Sequence, residues 1–116
     1  MRPAERSSTE ADAVEVIFVT APGDEVAHSL ARGLVEARLA ACVNLVPGLR
    51  SIYRYEGRLH DDAEVLLVVK TCAARASALE AFVREQHPYD LPELVRIPVA
   101  GGSAAYLDWV REGCAP

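Results

Sequence analysis

"ACVNLVPGLRSIYRYEGRLHDDAEVLLVVKT", residues 41–71, decides how this chain folds. Its apolar and β-branched residues read as extended chain on both sides of Glu56-Gly57, which marks a turn. Pro47-Gly48 interrupts the first half, and because proline lacks a ladder donor a bulge or bend is expected there. The second half becomes continuously apolar from Val65 to Val69. Most of these 31 residues are therefore extended around a single turn. Ordinary strands run about 5–6 residues, so this hairpin is expected to overhang its own sheet as an arm, with an edge free to pair with a neighbour.

Working outward, "VEVIFVT" (14–20) is rich in β-branched residues and reads as a strand. From Asp24 to Leu39 the spacing of Val26, Leu30, Leu34 and Ala37 predicts an amphipathic helix. Beyond the arm, Leu79, Phe82 and Val83 predict a second helix. It must stop by His87, because Pro88 disfavours helical geometry in the residue before it. "PELVRIPV" (92–99) reads as a fourth strand, placed at an edge or terminus by Pro98. Ser103 is an N-cap for a short last helix whose face carries Tyr106, Leu107 and Val110. The order is β-α-β-β-α-β plus a C-terminal helix: an α+β, ferredoxin-like sandwich. One domain over 14–116 is expected, preceded by a polar, aperiodic tail over 1–13 read as flexible.

The 116 residues carry 12 basic and 17 acidic side chains, a net charge of −5. That balance argues against nucleic acid and against an anionic membrane surface, both of which need a basic face. No segment approaches the roughly 20 apolar residues of a membrane span, and the start lacks the apolar core of a signal peptide. A soluble, cytoplasmic protein is expected. The three cysteines, Cys42, Cys72 and Cys114, form no CxxC pair, so neither a disulfide framework nor a structural zinc site is expected.

The two central strands of such a sheet do not alternate. "VIFV" (16–19) and "VLLVV" (65–69) are apolar on both sides, although the two main helices cover only one face. The uncovered face needs a second subunit, which makes an oligomer the expected state. Topology also separates the candidate residues. His87 lies at the end of the sheet where the second helix stops, near Tyr53, Tyr55 and the hairpin, while Cys42 and Lys70 lie at the other end. A site that joins them has to be shared between subunits.

The ordered motifs "AACVN", "SIYR-EG", "LLVVKT", "HPY-PE" and "YL-W" resemble the CutA divalent-cation tolerance family over roughly Val14 to Glu112. The resemblance implies a homotrimer with strands extended across subunits, a shape akin to PII-type signalling trimers, and a link to tolerance of copper and other divalent metals. Its characteristic polar positions fall on Cys42, Lys70, His87, Tyr89 and Asp90. Asp90 stands where glutamate is usual and Tyr55 where tryptophan is common.

Imidazole suits Cu, Zn and Ni, and a thiolate suits Cu(I), so His87, Cys42 and Asp90 are the candidate metal ligands. A histidine at a helix end is equally explained by the helix dipole, and a strand cysteine by simple packing. Lys70, Tyr89, Tyr53 and Tyr55 are candidates to line an inter-subunit cleft. His60 with Asp61 and Asp62 reads as a solvated turn rather than a metal site. There is no GxSxG, P-loop or HExxH, so a binding protein is expected rather than an enzyme. No cofactor is obligatory in this reading. The expected partners are further copies of the chain and a ligand, either copper or another divalent metal ion, or a small molecule.

Overall fold

The structure, a computed structural model, describes residues 10–116. Its elements are β1 (Val14–Ala21), α1 (Asp24–Glu36), β2 (Cys42–Tyr55), β3 (Arg58–Cys72), α2 (Ala76–Gln86), β4 (Val95–Pro98) and α3 (Ala104–Gly113). The strands form one antiparallel sheet in the order β2-β3-β1-β4. This is the ferredoxin-like arrangement expected from the strand and helix order. Of the expected tail over 1–13, residues 1–9 lie outside the described residues, and Glu10–Asp12 form a 3-10 turn.

The long arm is present as two continuous strands. A register shift between Val46 and Leu49 marks the bulge at Pro47-Gly48, where Gly48 adopts a φ of 86°. The turn is a two-residue hairpin in which Glu56 and Gly57 both have positive φ, 51° and 76°. That primed geometry matches the right-handed twist of the flanking strands. β1 pairs with β3 only as far as Ala21 opposite Val65. Past that point the arm is a two-stranded ribbon, and it stretches the molecule to 55 Å against 25 and 23 Å in the other directions. Near its tip Ile52 and Leu59 are 69% and 71% exposed.

Two elements are shorter than the sequence suggests. α1 ends at Glu36 rather than Leu39. Arg38 takes a left-handed conformation (φ 58°), its amide bonds to the Val35 carbonyl, and the Leu39 amide reaches back to the Leu34 carbonyl. This is a Schellman stop, with the usual hydrophobic contact made between Leu34 and Leu39. Leu39 thus belongs to the apolar pattern while lying past the last helical turn. The fourth strand covers Val95–Pro98 rather than 92–99. Pro92, Glu93 and Leu94 carry the chain from the helix layer to the sheet edge, and Leu94 packs against the main core on the way.

The main core lies between the helices and one face of the sheet. Ile17, Val19, Leu67 and Val69 are fully buried beneath Leu30 and Leu34 of α1 and Leu79 and Val83 of α2. Burial of side chains of this size contributes about 1.5–3 kcal/mol each. At the edge of the same face Arg96 grips the buried Glu15 through two bonds of 2.7 and 2.6 Å.

The opposite face carries a smaller cluster at its lower end. There Val110 and Cys114 of α3 and its cap pack on Val14 and Cys72. α3 starts at Ser103, whose side chain accepts from the Tyr106 amide as an N-cap. The rest of this face is open. Val16, Phe18, Leu66 and Val68 are only half-buried, and Val46, Val95 and Ile97 are exposed.

Candidate functional site

The sequence-derived candidates fall into two groups at opposite ends of the open face. At the lower end Cys42 stands directly opposite Lys70, which in turn stands opposite Val16. The Lys70 ammonium donates to the Asn44 side-chain oxygen, one step diagonally across the ladder. Cys42 is half-buried and its thiol is free.

The upper group is built around the end of α2. Pro88 forces His87 out of the helix into extended geometry (φ −81°, ψ 141°), while its amide still closes on the Val83 carbonyl. The buried imidazole then donates from Nε2 to the Thr20 carbonyl at 2.7 Å and accepts the Tyr89 amide at Nδ1 at 3.1 Å. These partners assign a neutral ring with the proton on Nε2, and neither nitrogen keeps a free position. His87 therefore ties β1 to the loop that follows α2, and places Tyr89 against it with ring centres 4.7 Å apart.

Tyr89 reaches over the top of the sheet and donates to Glu64 at 2.9 Å; Ser51 donates to the other oxygen of the same buried carboxylate at 2.6 Å. Burial first, then the bond to Glu64, pushes the Tyr89 phenol well above its ordinary range. On the arm Tyr53 donates to Asp62 at 2.6 Å, and that bond raises its phenol to about 12. Both phenols are protonated donors at neutral pH. The Tyr53 ring stacks on His60 at 4.9 Å and 8°, and Tyr55 meets the same ring edge-on at 6.4 Å. Glu93 is held above the usual carboxylate range by burial and by the charge of Glu64. Between these groups lies a cavity of about 190 Å³ lined by Tyr53, Tyr55, Tyr89, Asp90 and Leu91.

The structure thus joins Cys42 with Lys70, and joins Tyr53, Tyr55, Tyr89 and Asp90. It leaves the two groups apart within one chain. Thr20, which holds His87, is four residues along β1 from Val16, the level of Cys42, or about 13 Å at the rise of a strand. Cys42, His87 and Asp90 do not converge as a metal site within a single chain. Among the described residues no group of three or more His, Cys, Asp or Glu side chains could hold a metal ion. His60, Asp61 and Asp62 are each engaged separately, with Asp61 on Arg50 at 2.9 Å. Sequence reasoning missed Glu64 and Ser51, which organise the upper group. The available signal was an acid at position 64, in line with the apolar Leu66 and Val68 on the same strand face.

An antiparallel ferredoxin-like sandwich with an overhanging ribbon and polar groups at both ends of an uncovered sheet face defines a small α+β fold class. Residues 15–113 match the family described as "CutA1 divalent ion tolerance protein". The divalent-cation tolerance protein CutA of Thermus thermophilus is 52% identical over 98 residues, which span 84% of this chain and 95% of that protein. Human protein CutA is 48% identical over 85% of this chain, but the match covers 55% of the human protein. Among solved structures, the Thermus thermophilus protein superposes with a TM-score of 0.86 at 50% identity, covering 88% of this chain and 99% of that one. CutA1 from Oryza sativa gives 0.87 at 38% identity, covering 92% and 98%. The chain belongs to the CutA1 divalent ion tolerance family. The names of these relatives describe tolerance or simply CutA, and none of these names refers to a reaction. Similar proteins also include a chloroplastic one of Arabidopsis thaliana and a periplasmic one of Archaeoglobus fulgidus, so membership does not assign a compartment. Among the described residues no helix is long and apolar enough to cross a membrane.

Proposed function

We propose that this chain acts in divalent-cation tolerance as a homotrimer, whose ligand clefts form where one subunit's upper group meets the open sheet face of the next. The observation that carries this reading is the half-buried apolar face of β1 and β3, continued by a ribbon with unpaired edges. A second subunit laid on that face would remove its apolar surface from water. It would also bring a Cys42–Lys70 pair toward a neighbour's Tyr89 and Asp90. In such a cleft Cys42 is the soft donor and Asp90 the hard one for copper or another divalent ion. His87, with both nitrogens occupied, acts by positioning the Tyr89 loop.

Sedimentation equilibrium tests the assembly: three times the 12.5 kDa chain mass is expected, and a monomer at micromolar concentration would overturn it. Calorimetric titration with Cu²⁺ and Zn²⁺ tests the ligand. Cys42→Ser and Asp90→Ala should each weaken binding, and wild-type affinity in both variants removes these residues from the site.

A second reading, a small-molecule sensor of PII type, is favoured by the aromatic cavity of about 190 Å³, whose phenols are directed to Asp62 and Glu64 rather than left for a metal. A thermal-shift screen of metabolites distinguishes it, since ligands of the native state raise the midpoint.

A further inference from the structure

Cys72 and Cys114 lie far apart in sequence and in none of the groups above. Cys72 closes β3 and Cys114 caps α3. Both belong to the small cluster under α3, at 5% and 3% exposure, close enough for Cys114 to help raise the Cys72 pKa. The Thr71 hydroxyl lies 3.5 Å from the Cys114 sulfur, while itself donating to the Leu39 carbonyl at 2.7 Å. Beside the pair is a cavity of about 200 Å³ whose lining includes both cysteines, Asp12, Arg75, Arg111 and the C-terminal Pro116. Arg111 is anchored there by the Asp12 carbonyl at 3.0 Å and the Asp108 carboxylate at 2.9 Å.

We propose that Cys72 and Cys114 form a binding site, complete within one chain, for a soft d10 cation such as Cu(I), held between the two sulfurs. Two thiolates are the full set for near-linear coordination of such an ion, whereas tetrahedral zinc would lack half of its ligands. Both cysteines line the same cavity, which gives an ion room between them and a way in. On binding, two S–metal bonds form, two thiol protons pass to solvent and no electron is transferred. The product, two thiolates on a monovalent ion, is singly negative, and the Arg111 guanidinium lies on the cavity wall to offset it. In the free protein burial pushes the Cys72 thiol up to about 12, so Cys72 rests as an inert thiol until a thiophilic ion displaces its proton.

This site is separate from the Cys42 cleft, and the test keeps the two apart. The full chain is titrated anaerobically with Cu(I) against a colorimetric Cu(I) chelator, beside Cys72→Ala, Cys114→Ala and Cys42→Ser. Near one equivalent per chain should be retained by Cys42→Ser, in which the Cys42 cleft has lost its thiol. Each of the other two variants should weaken retention by more than the roughly 100-fold that losing an outer partner of a metal ligand costs. A second measurement needs no variant: alkylation of the wild-type chain, unfolded with and without prior Ag⁺. Protection of both Cys72 and Cys114 from alkylation supports the site. Unchanged retention in Cys114→Ala, loss confined to Cys42→Ser, or equal alkylation of all three thiols overturns it.

Discussion

The two faces of the sheet are made by the same strands from the same kinds of residue, and they have different fates. Ile17 and Val19 alternate with Val16 and Phe18 along β1, and Leu67 and Val69 with Leu66 and Val68 along β3. The first set is sealed under α1 and α2, while the second is half-exposed except where α3 covers its lower end. The difference teaches that burial here is assigned by what is laid on a face and not by its composition. It also locates the chemistry: Cys42, Lys70, Glu64 and the Tyr53–Asp62 pair all occur on strands flanking the uncovered face, while the sealed face carries Glu15–Arg96 at its edge and the buried Thr71.

The sharpest way to break this comparison is to truncate neighbours on opposite faces. Leu67→Ala should cost about 3 kcal/mol by leaving a cavity in a packed core. Leu66→Ala should cost less than about half of that in the dissociated chain, with a penalty that grows with protein concentration as assembly covers it. Urea unfolding at several concentrations reads both, and equal, concentration-independent losses would erase the distinction between the faces.

Where the open face is covered by its own chain, the contact is tight. A Cβ on Gly113 would sit 2.7 Å from the Ala41 Cβ and 3.0 Å from its Cα. Gly113→Ala should therefore lift the end of α3 and cost about 2 kcal/mol, as overpacking against backbone does. The accompanying sign is faster amide exchange in α3 than in α1.

At the upper end Tyr89→Phe removes one of two hydroxyl donors from the buried Glu64. A loss of about 1 kcal/mol is expected from chemical denaturation, and Ser51→Ala should show the same direction.

The smallest effect concerns pH. Glu93 has its folded pKa above the ordinary 4.5, because of burial and the charge of Glu64. At low pH it is protonated in both states and costs nothing. As pH rises from about 4.5 the unfolded chain ionises first, so stability falls until the folded pKa is passed. Glu93→Gln should flatten that decline and leave the variant slightly more stable at neutral pH, measured as the pH dependence of the thermal midpoint.

Much of the fold was legible because its signals are local. Pro47-Gly48 announces a bulge or bend, Glu56-Gly57 a turn, Pro88 a helix stop and Ser103 a cap, each through the backbone freedom or side-chain acceptor of one or two residues. The end of α1 was not, because Leu39 satisfies the helical period while in fact closing a Schellman contact with Leu34. The site was legible as a list of residues and as two separate ends. Its organisation was not: that His87 reaches the Thr20 carbonyl, or that Glu64 gathers Ser51 and Tyr89, depends on contacts between residues 13 to 67 positions apart.

By itself the sequence determined the order of elements, the length of the arm, the two-sided apolar character of the central strands and the family motifs, since all of these are written in spacing and residue type. Only the tertiary structure decided which of two apolar faces is sealed, that the metal-ligand candidates fail to meet within one chain, and that Cys72 and Cys114 share one buried cluster. Those outcomes are set by strand register and by where helices land, and both are properties of the whole packed chain rather than of any window of it.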